Sequence, residues 1–444
     1  MITILGGGPA GRIASIRLAS AGKEVTLIEG GGIGGQCLHF GCMPVCALND
    51  VARMIGSARE LEALGVTSGV PRVHIPRIFE EMHAIQQKIA SILDSETKNA
   101  GVNILYGRNG RLEGSRVFAG DEEIPSEAVI VATGSRPLIP DIGGLDLESV
   151  YTPHTLLSMK TLPEKLAIIG GNVMAAEYAY IFSRFGCEVT IISRSRFLKN
   201  LDASLRKQAF HELSDVTMLE NREAVSIGGG TRATSVITMN VRKTESIAAD
   251  AVLIATGLIP RSDMINGVTK GKTGEIIVDE HMRTSVPNVY ACGDVIGPPY
   301  LTPVARHQGI VAADNILGKP RTMDCRYVPQ SISLGHDLAY CVTETDKPGS
   351  ISIPGPAGPG TFWSVPTGST GSSKLLFDPA GGEITGACSA GPGAGLIAGY
   401  MAFLMQRHFS VHDFEEFIEV HPSADGMYGL AKFASETLRK NNQS

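Results

Sequence analysis

Three thiols stand within ten residues of one another, at Cys37, Cys42 and Cys46. Pro44 suits the first turn of a helix, where its missing N–H is not needed, so Cys42 is expected near a helix N-terminus. The positive end of the helix dipole lowers a thiol pKa there, so Cys42 is expected to ionise readily. Cys46 follows four residues later, one turn on and on the same face. The chain has only eight cysteines in 444 residues, too few for a disulfide scaffold, so the cluster suits redox or metal chemistry. Zinc is the rival reading, but C-x4-C-x3-C is not a usual zinc spacing, and no metal is expected.

The elements that must position these thiols are announced by glycine. Ile2 to Leu5 reads as a strand that runs into Gly6-Gly7-Gly8-Pro9-Ala10-Gly11, followed by a helical pattern from Arg12 to Ala21. A second strand, Glu24 to Ile28, ends at Glu29. This is the order of a dinucleotide-binding unit. Gly6 permits the tight turn, Gly8 lets backbone approach a pyrophosphate, Gly11 lets helix pack on strand, and Glu29 suits a ribose hydroxyl pair. Phosphate is expected at the helix N-terminus, where free N–H groups and the dipole favour anions.

The pattern recurs at strand Lys165 to Ile169, turn Gly170-Gly171-Asn172-Val173-Met174-Ala175, Glu177 beyond it, and strand Glu188 to Ile192. Asn172 stands at the central glycine position, which weakens or reshapes pyrophosphate binding. The site of the ribose acid is held by Ser193, followed by Arg194 and Arg196, so a 2′-phosphate and hence NADPH is favoured over NADH. Each unit has a later strand ending in a small-residue turn, Ala132-Thr133-Gly134 and Ala255-Thr256-Gly257. From residue 321 Pro/Gly/Ser-rich loops alternate with short strands, and a helical pattern runs from Ala394 to about His408, so a third, α+β domain is expected.

Composition bounds the function. A length of 444 residues is about three domains' worth. A net charge of −6 argues against a nucleic-acid footprint or a polybasic membrane anchor. No apolar run reaches the roughly 20 residues that span a bilayer, and Met1 to Leu5 lacks the basic start of a secretory signal. A cytoplasmic protein is expected.

The segment Gly34-Gly35-Gln36-Cys37-Leu38-His39-Phe40-Gly41-Cys42-Met43-Pro44-Val45-Cys46 resembles the redox-active motif of the class I pyridine nucleotide–disulfide oxidoreductases, G-G-x-C-L-N-x-G-C-x-P-S-K. That family includes dihydrolipoamide dehydrogenase, glutathione reductase and mercuric reductase. Gly293-Asp294 within Val289 to Val295 resembles its second FAD signature, whose aspartate holds the ribityl chain. Leu301-Thr302-Pro303-Val304-Ala305 resembles the stretch lying against the isoalloxazine, and His421-Pro422-Ser423 its His-Pro-Thr.

The resemblance implies an α/β fold with two Rossmann-like domains and a C-terminal α+β dimerisation domain. FAD would occupy residues 1–145 and 262–320, NAD(P) residues 146–261, and the interface domain residues 321–444. It implies electron flow from NAD(P)H through FAD to a Cys37–Cys42 disulfide, with Cys37 the exposed interchange thiol and Cys42 the thiol against the flavin. His421 would serve as base across a homodimer interface, with Asp425 in place of the family glutamate, which is absent at Gly426. A small disulfide or lipoyl-type substrate follows. Cys46 replaces the family lysine beside the flavin and Val45 its serine, leaving Cys46 either a free redox thiol or an apolar filler. Gly257 lacks the arginine that usually follows it. Two rivals remain: reduction of mercuric or another soft metal ion, disfavoured by a C-terminal stretch, Leu438 to Ser444, without a cysteine pair; and a low-turnover flavin-binding redox sensor or assembly subunit.

Overall fold

The computed structural model describes residues 1–241, 243–343, 351–356, 362–367, 370–421 and 426–443. Its first parallel sheet places Ile2–Leu5 between Val25–Glu29 and Ala128–Val131, with Val102–Tyr106 and Val289–Ala291 at the edges. All four residues of Ile2–Leu5 are buried, as are those of Ala128–Val131. Continuous apolar runs of this kind are required when helices cover both faces of a sheet. Helix α1 (Pro9–Ser20) follows the first strand with Pro9 in its first turn, and so begins three residues before the apolar periodicity does. After the second strand, three helices intervene before the sheet resumes. The short α2 (Gly35–His39) leads through Gly41 into the long α3 (Cys42–Ala63), and α4 (Ile75–Asn99) follows.

The second parallel sheet repeats the plan, with Lys165–Ile169 between Glu188–Ser193 and Ala251–Ile254. Helix α5 (Val173–Phe185) follows its first strand and α6 (Ala203–Glu212) its second. The chain then returns to the first sheet through Val289–Ala291 and α7 (Thr302–Ile316). The last part is an antiparallel sheet built from Gln330–Ser333, Asp337–Val342, Ile351–Gly355, Ser372–Phe377 and Ile384–Gly391, packed with α8 (Ala394–Gln406) and α9 (Gly426–Gln443). The architecture is two Rossmann-like units and a C-terminal α+β domain.

One apolar core crosses these units. It joins Val45, Leu48 and Ile55 of α3 to Tyr178 and Phe182 of α5 and to Ile332 and Leu338 of the antiparallel sheet. The thiol-bearing helix is therefore clamped between the second Rossmann unit and the C-terminal domain. Among the described residues no helix is long and apolar enough to cross a membrane.

Candidate active site: a cysteine pair at a dinucleotide cavity

A cavity of about 1120 Å³ opens at the C-terminal ends of the first sheet's strands. Gly6, Gly8, Pro9, Ala10, Glu29, Gly35, Ala132, Thr133, Gly134, Gly293, Asp294, Leu301, Thr302 and Ala305 all line it. Gly6 has φ +104°, and a Cβ there would lie 2.3 Å from the Ala132 carbonyl oxygen. A Cβ at Gly11 would lie 2.0 Å from the Gly6 oxygen, so Gly11 serves helix packing and stands outside the cavity lining. At Gly8 the nearest atom to a Cβ is the Gly35 Cα at 3.8 Å, which leaves open space beside the N-terminus of α1. No side chain caps that terminus. Gly34, also in the left-handed region, closes the turn by donating its N–H to the Gly7 oxygen at 2.9 Å.

Glu29 is fixed by backbone donors, Gly7 N–H at 2.5 Å and Gly31 N–H at 2.7 Å. Asp294 accepts from the Ser135 hydroxyl at 2.6 Å, and burial pushes its carboxyl up despite that bond. Pro303 is exposed in the first turn of α7 and does not line the cavity.

Cys37 lies on α2, Cys42 opens α3, and both face this cavity with Cys46. The three are free thiols. The Cys42 sulfur lies 3.6 Å from the Thr302 hydroxyl. Cys42 opens onto the cavity where the flavin is expected, and Cys37 is half-buried beside it. One expectation is corrected here. The Cys42 thiol, expected to be acidic, is instead pushed far up, chiefly by its hydrogen bond with Cys37 and then by burial. Cys37 is held down to about 6 by that same bond, against burial, with help from Thr302 and the Arg306 guanidinium. The two sulfurs share one proton and titrate as a unit. The first charge on the pair settles on Cys37.

Cys46 follows Cys42 by one turn. Burial raises its thiol, and Cys42, Glu177, Asp50 and Asp337 raise it further. Glu177 projects from α5 into the same cavity, accepting the Ser333 N–H at 3.0 Å. Sequence reading missed His154, which stacks on Phe40 with centroids 4.3 Å apart and lies 3.2 Å from the Gln36 side-chain oxygen. Burial pushes its imidazole down to about 4. Only its place in the fold brings it beside the Cys37 segment, 117 residues from that cysteine.

A second cavity, about 1010 Å³, lies over the second Rossmann unit. Gly170, Asn172, Val173, Ser193 and Arg194 line it; Asn172 and Val173 line the first cavity as well, where Met174, Glu177 and Gly257 also lie, so the two cavities meet at the start of α5. Asn172 turns its side chain to cap α5, accepting the Ala175 N–H at 3.2 Å. One of the N–H groups that a phosphate would use is thereby bound internally. Arg196 lies outside the lining; Lys199 and Arg222 join Arg194 there instead. Arg222 is already paired with Glu245.

His421 is exposed and lines neither cavity, and Asp425 lies outside the described residues. Among the described residues no group of three or more His, Cys, Asp and Glu side chains could hold a metal ion.

Comparison with known proteins places this arrangement. The family described as "Pyridine nucleotide-disulphide oxidoreductase" matches residues 1–309. The dihydrolipoyl dehydrogenase of Bacillus subtilis is 29% identical over 442 residues, covering 95% of this chain and 95% of that one. The mercuric reductase of Staphylococcus aureus is 28% identical over 347 residues, covering 74% of this chain and 62% of its own. Among solved structures, LpdA from Mycobacterium tuberculosis superposes with TM-score 0.86 at 23% identity, covering 98% and 99% of the two chains. The HOCl-induced flavoprotein disulfide reductase RclA from Escherichia coli gives 0.85 at 22% identity, covering 97% and 99%.

Proposed function

This chain belongs to the pyridine nucleotide-disulphide oxidoreductases, a family of FAD-dependent enzymes, and we propose that it passes electrons from NADPH to a small disulfide through Cys37 and Cys42. The observation that carries this reading is the pair of free cysteines, Cys37 on α2 and Cys42 at the start of α3, on the wall of a dinucleotide cavity. The residues present fit FAD. The open space at Gly8, the uncapped N-terminus of α1 and the oriented Glu29 carboxylate suit a pyrophosphate and an adenosine ribose. Half-buried Asp294 offers an acceptor for a polyol chain. Bound there, FAD would supply the exchange between two-electron hydride chemistry and thiol chemistry.

The protein's own part is sulfur and proton chemistry. Cys37, anionic near neutral pH, attacks one sulfur of the substrate disulfide, forming a mixed disulfide and releasing one thiolate. Cys42 gives up the proton it held and attacks Cys37, closing the Cys37–Cys42 bond and releasing the second thiolate. The two departing thiolates take up two protons, one from Cys42 and one through a base. His421 of a second copy is the proposed base. Thr302 and Arg306 stabilise the charge on the pair throughout.

A homodimer is part of the proposal. Leu396, Tyr400 and Phe403 form an exposed apolar row along α8, and Leu396 is 83% exposed in the single chain. Ile418 and Val420 of the same domain are 91% and 77% exposed. NADPH is proposed over NADH because Arg194 and Lys199 line the second cavity where the strand Glu188–Ser193 ends in serine.

The test is anaerobic. FAD-loaded enzyme is reduced with NADPH, its thiols are trapped by alkylation, and turnover is followed with lipoamide and with glutathione disulfide. Two new thiols mapping to Cys37 and Cys42, and turnover lost in Cys37→Ser, support the reading. Full disulfide turnover in Cys37→Ser overturns it.

A further inference from the structure

Glu177 is a carboxyl without a cation. It sits on α5 at the wall of the first cavity, half-buried, and its one backbone donor is the Ser333 N–H at 3.0 Å. The groups facing it from its own helix and from the elements packed on it are acids, which cannot carry a positive charge. From α3 come the thiols of Cys42 and Cys46, with Asp50 beyond Cys46; from the strand Asp337–Val342 comes Asp337; on α5 itself Tyr178 lies alongside. The strand Gln330–Ser333 offers the Ser333 amide and no ionisable side chain.

The Arg53 guanidinium opposes the rise in Glu177 but spends its hydrogen bonds elsewhere. Arg53 donates to Asp337 at 2.7 Å, to the Ser333 hydroxyl at 3.2 Å and to the Leu334 carbonyl at 2.6 Å. Among the described residues no lysine, arginine or histidine forms an ion pair with Glu177. The position one turn after Cys42, from which a cation would reach this carboxyl, is Cys46, which carries a neutral thiol.

We propose that Glu177 is a proton-exchanging group coupled to the redox state of the bound flavin, standing neutral where a counter-cation would otherwise hold it ionised. The inference rests on the assignment of FAD to this cavity. A half-buried carboxyl without a paired cation is costly to ionise, so it holds its proton to higher pH than usual. Desolvation is the largest cause of the rise in Glu177, to about 7. Electrons arriving in the cavity add negative charge and tighten the hold on that proton. Above pH 7, where the carboxyl is mostly ionised, reduction therefore draws a proton from solvent onto Glu177. Glu177 acts as a positioning residue for charge and makes no bond to substrate.

Two measurements on the FAD-loaded enzyme test this. The first is infrared spectroscopy without turnover. The unaltered protein should show a protonated-carboxyl C=O band that bleaches with a midpoint near pH 7 and is missing in Glu177→Gln. The second is the flavin midpoint potential against pH. Above pH 7 the unaltered enzyme should take up about one more proton per electron pair than Glu177→Gln. Cys46→Lys should abolish both signals by keeping Glu177 ionised, and it guards against a fold defect in the glutamine variant. Identical potential slopes in all three proteins, or no carboxyl band in the unaltered protein at about pH 6, overturn the proposal. A protein that retains no FAD would instead sink the cofactor assignment, while the band in the apoprotein would still report on Glu177.

Discussion

The Cys42 sulfur lies 3.6 Å from the Thr302 hydroxyl although 260 residues separate them in the chain. Thr302 also opens α7, and Arg306 follows one turn later on the same face. A single helical turn thus delivers a hydroxyl and a guanidinium to the two thiols. The dependence of the redox pair on α7 follows from this placement.

Thr302→Val should remove the hydroxyl while preserving shape, and Arg306→Ala should remove the charge. In each, the Cys37 midpoint, about 6 in the unaltered protein, should move up. A hydrogen bond to a charged group is worth about 1.5–3 kcal/mol, so thiolate at pH 6 should fall roughly tenfold in Thr302→Val. Rates of iodoacetamide alkylation at Cys37 against pH, read by peptide mapping with Cys46 replaced by serine in all proteins compared, measure the change. Unchanged profiles would remove Thr302 and Arg306 from the account.

Asn172→Gly should release the Ala175 N–H from its side-chain cap and return it to an incoming pyrophosphate. The expected result is a lower KM for the nicotinamide nucleotide, by about threefold to tenfold, for a few tenths of a kcal/mol of helix stability. Steady-state kinetics with thermal melting checks both numbers. A raised KM would mean that the Asn172 amide itself contacts the nucleotide.

Arg194→Ala combined with Lys199→Ala should raise the NADPH KM by at least about tenfold, because each side chain removes a charge-assisted contact to a 2′-phosphate. NADH kinetics should stay nearly constant. Arg196→Ala, placed outside the cavity lining, serves as the control and should change neither. Equal losses with both nucleotides would refute the preference for NADPH.

Much of this site is legible in the chain, and the reason differs by residue. Gly6, Gly8, Gly11 and Glu29 act through backbone geometry within one strand–helix–strand unit, so their spacing alone specifies them. Cys42 and Cys46 are legible because one helix carries both. Lys199 and Arg222 are not, since the loop after Glu188–Ser193 and the strand Glu223–Gly229 set which cations turn inward. His154, Thr302 and Arg306 reach the cysteine segment only through tertiary packing, which no local pattern encodes. The inverted acidity of Cys37 and Cys42 has the same origin, since a hydrogen bond between α2 and α3 outweighs the helix dipole.

His336 offers a stability test away from the redox chemistry. Its imidazole lies 3.2 Å from a Glu212 carboxylate oxygen, and the other oxygen accepts the His336 N–H at 3.0 Å, tying α6 to the antiparallel sheet. Hydrogen bonding to Glu212, opposed by burial, raises the imidazole above its ordinary value. The folded protein then holds this proton more tightly than the unfolded chain. The stabilisation is full below the unfolded histidine value, about 6.5, and is lost as pH rises through the folded value. Urea midpoints should fall between about pH 5.5 and pH 8.5 by more in the unaltered protein than in His336→Gln. The difference between the two proteins isolates His336 from Glu177, whose raised pKa acts in the same direction. Parallel curves would show that the Glu212 contact contributes nothing.

The exposed row on α8 provides the last prediction. Leu396, Tyr400 and Phe403 recur at helical spacing, so they form one stripe rather than scattered apolar side chains. Ile418, Val420 and Phe433 of the same domain are exposed as well. A patch of this kind on a symmetric dimer meets its own copy, so a single charge is introduced twice at one interface. Leu396→Glu with Phe403→Glu should therefore yield a monomer by sedimentation equilibrium at micromolar concentration. Neither residue lines the first cavity or belongs to the first sheet, so bound FAD and NADPH-driven reduction of an artificial one-electron acceptor should persist. Disulfide turnover should fall at least about a hundredfold, since the proposed base would no longer reach Cys37. His421→Ala should lose turnover to the same degree while remaining a dimer. If the charged variant is monomeric yet keeps full disulfide turnover, the base is in the same chain as the thiols, and His154, already beside Gln36 and Phe40, becomes the residue to replace next.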